Sequence, residues 1–85
     1  MDWDPDAQVK FDQMMAKVPV FLRELAQKQI AEKAEAFAKD ENRDQVLEKD
    51  MVDAFFKITP FGFHGPMKTD MESLGINYTQ YGHPK

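Results

Sequence analysis

The chain has 85 residues and no cysteine, which allows one small domain and excludes disulfides, thiolate zinc sites, iron–sulfur ligation and cysteine nucleophiles. Its net charge of −4 falls entirely before Ile58, because the charges after it are Lys68, Asp70, Glu72 and Lys85. The densest basic stretch, Arg23 to Lys33, is broken by Glu24 and Glu32, so nucleic acid is excluded and anionic lipid is a poor partner without a basic patch.

Asp4-Pro5-Asp6-Ala7 reads as a helix start, with Asp4 as N-cap and Pro5 at the first helical position, where no N–H partner exists. Phe11, Met14, Met15 and Val18 then recur at three and four residues, giving one apolar face. Pro19 ends this helix and suits the first turn of a second, predicted to run to about Glu41. Its expected buried stripe is Leu22, Ala26, Ile30, Ala34, Phe37 and Ala38, with Phe21 and Leu25 on an adjoining edge.

Asp40 to Asp44 is a polar loop. Val46-Leu47 is expected to re-enter the core, followed by a third helix from about Glu48 to Ile58. Leu47, Met51, Ala54, Phe55 and Ile58 form its predicted buried side, while Asp50 and Asp53 read as a solvated face. Nothing shows convincing strand alternation. The expected fold is all-α, a three-helix domain over residues 2–58.

Every glycine, both histidines, both tyrosines and three of the five prolines lie after Ile58. Thr59-Pro60 ends the third helix, Phe61 to Pro66 is a turn-rich aromatic loop, and Asp70 to Leu74 suits a single helical turn stopped by Gly75. Residues 59–85 are therefore expected to form an extended tail that orders against a partner.

No apolar run approaches the roughly 20 residues that span a bilayer, and the acidic opening Met1-Asp2-Trp3-Asp4 is unlike a secretory leader. A soluble or peripheral protein without a transmembrane segment is expected.

Trp3, Pro5 and Ala7, followed by Val18-Pro19-Val20-Phe21-Leu22-Arg23, resemble the small helical domain at the C-terminus of the B subunit of light-independent protochlorophyllide reductase. The likeness covers about residues 3–56, with Leu47 where that family has isoleucine, and stops short of the tail. That enzyme depends on an iron–sulfur cluster, for which this chain has no cysteine ligands, so no catalysis of its own is expected. The resemblance implies a non-catalytic accessory subunit of a larger photosynthetic or tetrapyrrole-related complex, cytoplasmic or on the cytoplasmic face of a membrane complex. It implies no cofactor of the chain's own, with chlorophyll or a related tetrapyrrole held together with a partner. The alternative it implies is a small pigment-binding or delivery protein.

Phe61, Phe63, Tyr78 and Tyr81 are the candidate partner anchors, because aromatics bury large area at modest entropy cost. Arg23 is a further candidate, able to grip a carboxylate bidentately; the ordinary alternative is a bond to helix termini. His64, flanked by Phe63 and Gly65, is the candidate ligand for a tetrapyrrole magnesium, against the ordinary reading of a loop histidine. A third reading lends Arg23 or His64 to a partner's active site. Trp3 is more ordinarily a packing residue than a stacking platform. No acid pair, nucleophile–base set, phosphate loop or metal spacing stands out.

Overall fold

The first helix begins as its sequence dictates. A computed structural model describes residues 1–85. In it α1 spans Pro5–Met15, Asp4 Oδ2 accepts the Ala7 N–H at 3.2 Å, and Pro5 occupies the first turn. Ala7, Phe11, Met14 and Met15 are buried along one face.

Helix α2 spans Val20–Asp40 and α3 spans Glu48–Ile58. Each agrees closely with the predicted limits. Asn42 ends α2 in the left-handed region at φ 59°, its N–H bonding Lys39 O while the Arg43 N–H returns to Ala38 O. This double bond satisfies carbonyls that the helix end leaves orphaned. Two two-residue strands, β1 (Asp2–Trp3) and β2 (Gln45–Val46), pair in parallel with Trp3 opposite Val46. They tie the start of the chain to the α2–α3 connection. Trp3 packs on Phe11 with ring centroids 4.9 Å apart, the packing role expected of it.

All-α architecture holds, but the tail is not extended. Residues 61–63 form a 3₁₀ turn, α4 spans His64–Ser73, and a second 3₁₀ turn covers Tyr78–Tyr81. Met67, Met71, Ile76 and Tyr78 are all buried in the same cluster as Phe11, Ile30, Met51 and Phe55. Residues 2–58 and 59–85 therefore share one core. The reason lies in α3, which buries two faces: Val52 is fully buried beside Met51 and Phe55, and Phe56 packs under the tail. Three helices cover only one of these faces, and the tail covers the other.

Pro66 misleads in the sequence. It sits in the first turn of α4, where a missing N–H costs nothing, so Gly65-Pro66 opens a helix rather than breaking one. Gly75 ends it as predicted, at φ 75°, with its N–H on Glu72 O and the Ile76 N–H on Met71 O.

Two further expectations are corrected. Leu47 is exposed, and only Val46 of that pair enters the core. Asp50 is fully buried rather than solvated. It accepts the Leu47 N–H at 2.8 Å and two charge-assisted bonds from the Arg43 guanidinium, both at 2.7 Å. Burial alone would push this carboxyl up, but the Arg43 bonds and the Leu47 N–H outweigh it and hold Asp50 below its ordinary range. Arg43, bonded to Asp50 and Glu41, is held correspondingly higher.

Candidate functional site

The apolar stripe of α2 begins two turns before any element covers it. Ile30, Ala34 and Ala38 are buried, but Leu22 and Leu25 remain exposed, and Val20 and Phe21 still more so. Those first turns form one wall of a groove of about 630 Å³. Met14, Val18, Phe55 and Ile58 supply its floor, and Pro60, Phe63, Pro66 and Met67 the facing wall. That second wall exists because Thr59 leaves α3 in extended geometry and Pro60 turns the chain into the 61–63 turn and α4.

The groove has little chemistry beyond apolar contact. Lys17 and Asp70 are its only charged lining residues, with the Gln29 amide and Thr59 hydroxyl as its other polar side chains. No nucleophile meets a base there. No group of three or more His, Cys, Asp or Glu side chains gathers anywhere to hold a metal ion. Met14 in the floor and Met67 in the facing wall are unbranched side chains that adapt to the shape of an occupant.

The structure separates the residues that the sequence grouped as anchors. Phe63 lines the groove and is 65% exposed, while Phe61 lies outside it at 87% exposed. Tyr78 is a core residue, 2% exposed, whose hydroxyl donates to Glu72 at 2.8 Å. It cannot anchor a partner without unfolding the tail. Tyr81 is half-buried and donates to Glu48 Oε2 at 2.8 Å, joining a cluster in which Lys10 pairs with Glu48 Oε1 at 2.9 Å. Burial and the Glu48 carboxylate push its phenol up to about 12.

Arg23 takes its ordinary role. Its Nη2 donates to Val18 O at 3.0 Å and Ala16 O at 3.3 Å, closing the end of α1. His64 Nε2 donates to Thr59 O at 2.9 Å at the end of α3, with its ring edge-on to Phe56 at 5.2 Å. One of its two nitrogens is therefore committed within the fold. His83 stacks flat on Phe56 at 3.9 Å and meets Asp53 Oδ1 at 2.6 Å, fastening the C-terminal turns to α3.

Sequence reasoning missed Leu22 and Leu25 as site residues because helical periodicity says which side of α2 is apolar and not where its cover stops. The signal available was Val20-Phe21-Leu22, three consecutive large apolar residues that no single helix face can bury together.

No curated protein and no solved structure matches the chain. The family model of DUF2621, described as a protein of unknown function, matches residues 1–84. The match runs through α1 to α4 and the C-terminal turns alike, so core and tail fall within one family unit. The chain belongs to the DUF2621 family.

Proposed function

We propose that this protein is a non-catalytic docking subunit whose groove between α2 and α4 receives an amphipathic helix of a larger assembly. The observation that carries this reading is the groove itself: about 630 Å³, apolar on floor and both walls, with Leu22, Leu25 and Phe63 left exposed along it. A helix is the fitting occupant because the lining offers an extended backbone almost nothing to bond, whereas a helix arrives with its own backbone satisfied. The photosynthetic or tetrapyrrole-related setting of that assembly rests on the resemblance of residues 3–56 alone.

A photo-crosslinker at Leu25 tests the occupant. The expected product is one partner segment with apolar residues at helical spacing, lost when Phe63→Glu is introduced while the circular dichroism spectrum is retained. Recovery of no partner at near-native concentration, or of the same adduct from the Phe63→Glu protein, removes the reading.

A second reading is a tetrapyrrole-binding or delivery protein, favoured by a groove volume in the range of small-molecule sites. Titration with chlorophyllide would then shift its Soret band, and an unshifted band removes this alternative.

A further inference from the structure

Val20, Phe21 and Phe61 are 77%, 85% and 87% exposed, yet none of them lines the groove. They project from the two segments that carry the groove lining beyond Met14, Lys17 to Ile30 and Phe55 to Asp70. Those two segments also sort the charge of the molecule. Together they hold five basic residues (Lys17, Arg23, Lys28, Lys57 and Lys68) and two acids, Glu24 and Asp70, for a net +3. The rest of the chain holds six basic and thirteen acidic residues, for a net −7. The folded protein is thus polar in the electrostatic sense, with the cationic portion coinciding with the exposed apolar one.

None of these five cations forms an ion pair; elsewhere Lys10, Arg43 and Lys49 do, and Lys33, Lys39 and Lys85 do not. Arg23 spends hydrogen bonds on carbonyls, which leaves its charge uncompensated. Long lysine stems can lie along apolar surface while their ammonium groups reach outward.

We infer that this end of the molecule seats on an anionic lipid surface, with Phe21, Phe61 and Val20 entering the headgroup–acyl boundary and the surrounding cations meeting lipid phosphates. The side-chain chemistry favours lipid over an acidic protein. Protein hot spots favour Trp, Tyr and Arg, whose polar tips find partners across an interface. The projecting tips here carry no hydrogen-bonding atom, while both tyrosines are turned inward on Glu72 and Glu48. Apolar tips beside unpaired cations are the pattern of interfacial binding, and each cation near such a surface adds about fivefold in affinity. The acidic remainder is repelled from the same surface and orients the molecule on it. The residues involved lie outside the groove lining, apart from Lys17, so this inference goes beyond the docking role and stands or falls separately.

Vesicle sedimentation with the full chain tests it. Vesicles of phosphatidylcholine with about one quarter phosphatidylglycerol are compared with phosphatidylcholine alone, at about 0.1 M salt, where the Debye length is about 10 Å. The expected result is binding to the anionic vesicles at least about tenfold above the neutral ones, with most of it lost near 1 M salt, where the Debye length is about 3 Å. Phe21→Ser with Phe61→Ser should cut binding by about a hundredfold, since burying a phenyl side chain is worth about tenfold or more per ring. Lys28→Gln with Lys68→Gln should cut it about twentyfold. The four substituted side chains lie outside the buried core, so a retained circular dichroism spectrum is expected for both double variants. No sedimentation with anionic vesicles, equal binding to both kinds, or undiminished binding by the Phe21/Phe61 variant overturns the inference. So does an acidic protein held through Phe21 and Phe61 with no vesicle binding. Absence of vesicle binding by the unaltered chain, with the Leu25 crosslink intact, removes this inference and leaves the docking role standing.

Discussion

Met71→Ala decides whether the C-terminal third is a clasp or part of the core. Met71 lies on α4, fully buried, in one cluster with Phe11, Ile30 and Phe55. Truncating a buried methionine removes its transfer free energy and leaves a cavity, at a cost of about 2–5 kcal/mol. A domain of this length has only about 4–13 kcal/mol in total, by the usual stability per residue. A loss of about 3 kcal/mol therefore consumes a quarter or more of it and lowers Tm by roughly 12–24 °C. The assay is urea unfolding followed by the fluorescence of Trp3, which packs on Phe11 at the other end of the sequence. If the tail belongs to the core, the Trp3 transition moves to lower urea as far as the transition seen by far-ultraviolet circular dichroism. Tyr78→Ala should move both in the same direction. A Trp3 transition within about 0.5 kcal/mol of wild type, the range of an inconsequential surface change, refutes the reasoning.

Two other outcomes follow from the polar contacts. Asp50→Asn removes the charge from a buried carboxylate held by Arg43, and breaking such a pair costs about 3 kcal/mol at pH 7. Because Asp50 is depressed in the fold, its contribution is complete above the unfolded value of about 3.9 and fades as pH falls through the folded one. The urea-midpoint difference between wild type and Asp50→Asn should therefore shrink below about pH 4; a difference independent of pH contradicts this. Arg23→Ala frees the Val18 and Ala16 carbonyls and should cost about 1 kcal/mol, while leaving the Leu25 crosslink in place. Unchanged stability with loss of the crosslink would make Arg23 a partner contact instead.

Local signals located most of the elements. Asp4-Pro5, Pro19, Thr59-Pro60 and Gly75 each act within a few bonds of themselves, through a missing N–H, a capping oxygen or a permitted positive φ. The boundaries they mark match the structure. Periodicity likewise found much of the inward side of the first three helices, but it counted Leu22 and Leu47, which are exposed, and missed Val52 on the second buried face of α3. The tail failed because its apolar residues do not repeat cleanly: Met67, Met71, Ile76 and Tyr78 enter the core from a helix, a turn and a second turn in succession. Asp50 failed because its partner Arg43 is seven residues away, across the α2–α3 connection. The anchors were only half legible, since Phe61 and Tyr78 look alike in a sequence and differ between 87% and 2% exposure in the fold.

The sequence by itself determined an all-α chain without the residues for thiolate or cluster chemistry, because composition and local backbone preference do not depend on neighbours distant in the chain. Tertiary structure alone decided which apolar residues are covered. The tail closes the second face of α3 and in doing so raises one wall of the groove against α2. It also gathers Lys17 to Ile30 and Phe55 to Asp70 around that groove, giving a net-cationic, apolar surface to a protein whose net charge is −4. Net charge is a sum over all residues, and only folding assigns its parts to places.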